Sequence, residues 1–455
     1  MKKTISTLAL TLTTMFIVNG CGGGNSTTNP NTGEVTPITS GDFVGYGAES
    51  KNSAFQAGNS RDWQFTIDSQ NDSFTATESI NGATISGDLN STGDFLQFKV
   101  TASNNNLYPV GMVFDGVGIG NSIAFINLKN NGNDLPEFAT LIKKDSCPTN
   151  SMDMVWHRFY MGVLANPWRL NDVIADLKYD SSNSSFLSTN SWRITNQVPL
   201  MAEASFLTNP AILTCNNGKF TATQTIPIVQ GNPTINTYNG YIANGGYSVT
   251  SNLNWGNIEL SLPKKAITDV NTLKGNYVGY VVITPGNAYG FKEEVGTVSA
   301  YLDFSSNGAV SSLITLNPDS QNSLEVGYMN ITKKPGINQP IAGQLQGDFN
   351  MFTTSNNNHP LLNETMPFSD TIITHNVNQT LADFRGKITC SAYENLDSSN
   401  KNLVVCHAFV EPNLNSNSTM STQDNLITII LVTGKFIPTQ DDIGNFLNIP
   451  CNGPC

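Results

Sequence analysis

Charge is scarce in this 455-residue chain: Asp, Glu, Lys and Arg make up 13% of it, about half the share usual in soluble domains. Basic residues are scarcer than acidic ones, Lys+Arg 23 against Asp+Glu 35, and the formal charge is −12. A phosphate backbone would meet net repulsion, so nucleic acid is excluded as a partner. The only four histidines, His157, His359, His375 and His407, are scattered, with no H-E-x-x-H and no close pair, so no local metal site is read. Asn130, Asn131, Asn133 and Asp134 crowd one segment, but without an EF-hand ligand order they read as an Asn-rich turn. There is no G-x-S-x-G elbow and no S-x-x-K set with its partner motifs. Gly116-Val117-Gly118-Ile119-Gly120 lacks the Lys and the helix that a nucleotide phosphate needs. No cofactor and no catalytic residue is therefore expected. What is abundant is Asn, about one residue in eight, with Phe 23 and Tyr 13 among 39% hydrophobic residues. That is enough apolar material to build cores, which excludes general disorder.

The N-terminus carries the most specific signal. Lys2 and Lys3 precede an apolar stretch over 5–18, then Val18-Asn19-Gly20-Cys21 and three glycines. The apolar run is shorter than the roughly 20 residues of a spanning helix, so it reads as a removable signal. Its end resembles the lipobox of bacterial lipoproteins. The resemblance implies cleavage after residue 20, diacylglycerol on Cys21, and an amide-linked acyl chain at the new N-terminus. More than one buried chain makes such an anchor stable. Residues 21–40 then form the lipidated end and a polar tether. Gly22, with no Asp to retain the protein at an inner membrane, implies sorting to the outer membrane.

Beyond Cys21 six cysteines are left, an even number in a chain expected to be exported, which favours disulfides. An internal repeat narrows the pairing. Residues 41–46, Gly-Asp-Phe-Val-Gly-Tyr, match 275–280, Gly-Asn-Tyr-Val-Gly-Tyr; the segments starting at Ile85, Gly93 and Ser103 match those at Ile341, Gly347 and Ser355 in the same order. The reading is a tandem duplication, with an N-terminal β domain over 41–267 and a C-terminal one over 268–455. In that register Cys147 pairs with Cys215 and Cys390 with Cys406, each bridge joining two strands, and Cys451 pairs with Cys455.

Short segments at 63–67, 95–101, 218–226, 277–283, 298–304 and 425–432 alternate apolar and polar residues and are separated by Asn, Gly, Ser and Asp clusters. This predicts an all-β fold of two duplicated antiparallel β-sandwich or small-barrel domains. Residues 170–177 fit a short amphipathic helix or a strand about equally, and 440–447 allow a turn or two of helix. Between their paired cysteines the copies differ by about fifty residues, so 150–210 reads as an insertion into the first copy. It holds Trp156, Trp168 and Trp192, with His157, Arg158 and Tyr160. Trp156, Tyr160, Trp168 and Trp192 are the candidate ligand-binding residues, a private mini-core being the alternative.

These readings lead to a lipid-anchored cell-envelope protein of binding or structural type, whose partner is another envelope protein or a glycan. Two alternatives stay open: a glycan hydrolase using a carboxylate pair, and a lipocalin-like carrier with an apolar ligand inside a barrel.

Overall fold

The computed structural model describes 38–49, 60–92, 95–129, 136–160, 174–193, 201–203, 209–226, 232–252, 257–264, 270–284, 294–302, 304–305, 308–316, 324–332, 344–353, 384–396, 401–412 and 425–434. Cys21, Trp168, His359, His375, Cys451, Cys455, the Asn-rich segment at 130–134 and the segment 440–447 lie outside the described residues.

The described chain is almost entirely antiparallel sheet, as its alternation requires. Barrel 1 is a closed meander of β1 (Gly41–Glu49), β2 (Ser60–Asp68), β3 (Ser73–Glu78), β4 (Ala83–Thr92), β5 (Phe95–Ser103), β6 (Val113–Ile119), β7 (Ile123–Lys129) and β8 (Pro136–Lys143). Pairing of β1 with β8 closes it.

The second sheet holds β9 (Met152–Tyr160), β10 (Ile174–Asp180), β11 (Ser185–Arg193), β12 (Met201–Glu203), β13 (Ala211–Asn216), β14 (Lys219–Ile226), β15 (Thr234–Ala243), β16 (Tyr247–Asn252) and β17 (Asn257–Pro263). Its first and last strands, β9 and β17, pair, and β10 pairs with β11. The sheet thereby also closes into eight strands, barrel 2, with β12 appended to β11.

The third sheet repeats the plan with β18 (Gly275–Thr284), β19 (Glu294–Leu302), β20 (Phe304–Ser305), β21 (Gly308–Leu316), β22 (Leu324–Thr332), β23 (Gln344–Thr353), β24 (Phe384–Tyr393), β25 (Leu403–Pro412) and β26 (Asn425–Thr433). Pairings of β18 with β26 and of β19 with β21 close barrel 3, with β20 appended to β21.

The tandem barrels expected from the alternation are therefore present, and the repeat extends to a third unit. Residues 150–210, expected as an insertion, supply β9, β10, β11 and β12 of barrel 2, and the ambiguous stretch around Ile174 is strand. The first strands align without gaps as Gly41-Asp42-Phe43-Val44-Gly45-Tyr46, Met152-Asp153-Met154-Val155-Trp156-His157 and Gly275-Asn276-Tyr277-Val278-Gly279-Tyr280. In each barrel the residue after the last strand, Lys144, Lys264 or Gly434, donates its backbone N–H to the carbonyl of the first strand's second residue, Asp42, Asp153 or Asn276.

The turns after the second strands of barrels 1 and 2 share a mechanism. Asp68 accepts from the amide of Gln70 and the side chain of Asn71, and Asp180 accepts from Ser182 and Asn183 in the same way. These Asx turns free the following residues, Asp72 and Ser184, to take positive φ of 48° and 44°. The serine just ahead of each first strand, Ser40 or Ser151, bonds the turn's serine, Ser69 or Ser181.

Alternation sorts the side chains into two kinds of core. Phe43, Trp63, Phe65, Phe74, Phe98 and Phe114 fill barrel 1, and Trp156, Leu177, Phe186, Phe220 and Tyr238 fill barrel 2. The opposite faces make one cluster shared by all three barrels, with Val44, Ile119 and Phe138 from barrel 1, Val155, Phe159 and Leu260 from barrel 2, and Val278, Val405 and Ile430 from barrel 3.

Both described disulfides have the expected partners, Cys147–Cys215 and Cys390–Cys406. Only the second joins two strands, β24 and β25. Cys147 lies in the connection after β8, so the first bridge straps that connection onto β13. The two are not equivalent positions in the repeat, because the cysteines fall at different strand numbers within their barrels.

Candidate functional site

Among the described residues, polar chemistry in buried surroundings lies in the interiors of barrels 1 and 2 and in the contacts between barrels. Inside barrel 1, Glu137 on β8 accepts from the indole of Trp63 at 2.8 Å and from the hydroxyl of Tyr108 at 2.7 Å. Arg61, on β2 with Trp63, lies 3.5 Å from Glu137 and 4.0 Å from Glu78. Glu78 in turn accepts from the amides of Ile80 and Asn81. Burial, and next the Glu137 charge, push the Tyr108 phenol far above its ordinary range, so it stays a donor. With its oxygens so occupied, Glu137 serves as an internal brace.

Barrel 2 uses the same residue types, with the acid again on the last strand but the Trp and Arg on the first strand instead of the second. Trp156 donates to Glu259 on β17 at 3.1 Å, Arg158 donates to the other oxygen at 3.2 Å, and the guanidinium sits 4.5 Å from the Trp156 ring centre. Here barrel 2 departs from its neighbours. Trp156 stands where barrels 1 and 3 have Gly45 and Gly279, and a Cβ there would come 2.1 Å from the Thr140 carbonyl oxygen or 1.8 Å from that of Ile430. Those glycines let the closing strand approach; in barrel 2 the indole occupies the interior instead.

A cavity of about 40 Å³ opens beside it, lined by Trp156, Leu177, Phe186, Phe220, Tyr238 and Glu259 among others. That volume suits a water molecule and falls well short of the roughly 150 Å³ that accepts a benzene-sized ligand.

The next residue along each first strand points outward and reaches the following barrel. Tyr46 packs on Tyr241 of barrel 2 with ring centres 5.6 Å apart, and Tyr241 donates to Asp62 of barrel 1 at 2.7 Å, an acid also paired with Lys219 at 2.6 Å. Tyr280 of barrel 3 reaches back to Asp115 of barrel 1 at 2.6 Å. In barrel 2 the position is His157, which meets barrel 3. Its Nε2 lies 2.5 Å from the Tyr393 hydroxyl and its Nδ1 lies 3.1 Å from Nε2 of His407. The chain continues from Nδ1 of His407 to Oγ1 of Thr428 at 3.3 Å. Burial lowers the proton affinity of both imidazoles, taking His407 down to about 3, and the neighbouring His407 adds to the lowering at His157.

Of the expected binding residues, Trp156 is buried inside barrel 2 and engaged by Glu259. Tyr160 lies opposite Asn257 at the end of β9, and Trp192, on β11, lies opposite Ile174 of β10 and Ala202 of β12. His157 and Arg158 fall on opposite faces of β9, one in the contact between barrels and the other inside. The sequence reading did not anticipate the pairing of His157 with His407, 250 residues apart. A signal was available, since His157 aligns with Tyr46 and Tyr280 once the third repeat is seen. Among the described residues no group of three or more His, Cys, Asp or Glu is placed to hold a metal.

No family model matches the sequence, and no curated protein does either. Among solved structures, isotype 1 transferrin binding protein B from serogroup B Neisseria meningitidis aligns at 11% identity over 87% of this chain and 77% of that one, with a TM-score of 0.26. A double mutant of transferrin binding protein B from Haemophilus parasuis aligns at 9% identity over 87% and 78%, with a TM-score of 0.21. A protein of unknown function from Nostoc punctiforme, of the DUF3598 family, aligns at 8% over 62% and 94%, with a TM-score of 0.20. Likeness at this level carries no argument about the present chain.

Proposed function

We propose that this chain is a lipid-anchored protein of the bacterial cell envelope, sorted to the outer membrane, that binds or displays rather than catalyses. The observation that carries the reading is the order of the N-terminus: Lys2 and Lys3, a short apolar run, Gly20-Cys21 and a polar tether. Two disulfides, one of them wholly buried, support folding in an oxidising compartment. The filled interior of barrel 1 and the small cavity of barrel 2 favour recognition by outer faces and loops over carriage of an apolar ligand within those barrels. The partner class is an envelope protein or a glycan, met by amide-rich turns that both donate and accept hydrogen bonds.

Intact-mass analysis of protein extracted from its native envelope tests the anchor. The expected mass is that of a chain starting at Cys21 with diacylglycerol and one further acyl chain, and Cys21→Ala should release the protein into the soluble fraction. An unacylated N-terminus would overturn the reading. Product formation from a polysaccharide or peptidoglycan, abolished by one Asp or Glu substitution, would replace it with the hydrolase.

A further inference from the structure

We propose that the contact between barrels 2 and 3 is an acid-labile joint, closed by the chain Tyr393–His157–His407–Thr428 and loosened when either imidazole takes up a second proton. Geometry carries the argument. Both histidines are fully buried, and with both rings neutral the three links permit two proton arrangements. In one, Tyr393 donates to Nε2 of His157, Nδ1 of His157 donates to Nε2 of His407, and Nδ1 of His407 donates to Thr428; in the other every donor and acceptor is exchanged. A first added proton can keep all three links, because the hydroxyls of Tyr393 and Thr428 can turn to accept, but it puts an imidazolium inside an apolar cluster that includes Val155, Phe159 and Val405, and a proton on each ring sets two donors face to face at 3.1 Å.

The other ionisable groups near the chain offer the imidazolium little. Tyr393 is held protonated by burial and next by the Asp176 charge, and Asp176 itself is paired with Lys264 at 2.8 Å. The sign follows from linkage. Separated from the joint, each imidazole binds a proton below about pH 6.5, whereas in the joint it stays neutral until far lower pH. Closure is therefore strongest above pH 6.5 and weakens as pH falls. Between pH 7 and pH 5 one such histidine weakens it about 25-fold, and two weaken it roughly 600-fold. The joint thus goes beyond the proposed anchoring: it would bare apolar faces in an acidic setting while the barrels stay folded.

Thiol labelling of the full lipidated chain in detergent micelles reads the opening directly. The Val155→Cys variant places a thiol in the joint, and Val100→Cys places one inside barrel 1 as a control. A disulfide reagent active across this pH range is used, with rates corrected for thiolate fraction. The fraction open at position 155 is expected to rise several hundredfold from pH 7 to pH 5 while position 100 stays protected. Adding His407→Gln should reduce that rise to about 25-fold, and adding His157→Tyr as well, the residue type of the other two barrels, should abolish it. Equal protection of position 155 at both pH values overturns the proposal, as does an equal loss at positions 155 and 100. The same rise in the doubly substituted protein also overturns it; if that protein does not fold, the comparison of the two thiol positions still decides.

Discussion

Tyr280 donates its hydroxyl hydrogen to a carboxylate oxygen of Asp115 at 2.6 Å, tying the first strand of barrel 3 to β6 of barrel 1. The tyrosine is wholly buried, and Phe95 and Phe138 of barrel 1 lie edge-on to its ring at 5.7 and 5.5 Å. Tyr280→Phe keeps the ring contacts and removes only the hydrogen bond to a charged acceptor. The expected loss is about 1.5–3 kcal/mol, read as a lower urea midpoint with an unchanged denaturant slope.

Gly45 and Gly279 admit the closing strands of their barrels because they lack a Cβ. Gly45→Ala and Gly279→Ala each force a methyl against a backbone carbonyl that cannot rotate away. Each is expected to cost about 3 kcal/mol or more, at the upper end of overpacking effects. Calorimetry should show a fall in Tm for both, whereas Gly82→Ala, at a turn with nothing within 4 Å of the added methyl, carries only the smaller backbone cost of its positive φ.

Glu137→Gln replaces an acceptor of three donors with a group that presents its own N–H to one of them. Arg61 then loses the nearer of its two carboxylate partners in a buried site and keeps Glu78 at 4.0 Å. The expected destabilisation is about 3–5 kcal/mol, against about 1.5–3 kcal/mol for Tyr108→Phe, which removes one hydrogen bond to the same carboxylate. Equilibrium unfolding of the two variants under matched conditions checks the ordering.

The two disulfides close rings of different size, with sequence separations of 68 and 16. Loop entropy assigns about 4 kcal/mol to Cys147–Cys215 and about 3 kcal/mol to Cys390–Cys406. The partly buried strap and the buried cross-strand bridge should also differ in access: Cys147 and Cys215 are partly buried while Cys390 and Cys406 are fully buried. Mild reductant in the native state is expected to open the first bridge before the second, as mass mapping of alkylated cysteines would show.

Period-two alternation was legible because each barrel strand buries one face in its own interior, which leaves an apolar residue at every second position. Barrel 1 and barrel 3 were legible as copies because Gly45 and Gly279 serve the same close approach. Barrel 2 was hidden by one change of packing: Trp156 fills the space from the first strand, so the Gly-Tyr ending of the motif becomes Trp156-His157. Without that motif, the tryptophans of 150–210 looked like additions to a scaffold rather than parts of one. The partners of the two described disulfides were read correctly on a register that the structure does not share. The alignment of His157 with Tyr46 and Tyr280 marks it as an outward contact residue, but its partner His407 was not legible, since outward faces of different barrels meet only in three dimensions.

The hand-over from Tyr46 to barrel 2, from His157 to barrel 3 and from Tyr280 back to barrel 1 makes a closed circuit. During synthesis the earliest unit therefore cannot be finished first. Its greasy flank, with Val44, Ile119 and Phe138, waits in water until the last unit has emerged and curled back upon it. An intermediate with two completed units carries a bare, adhesive seam, so a holdase that escorts the unfinished polypeptide would have to grip that seam, not the ends of the barrels.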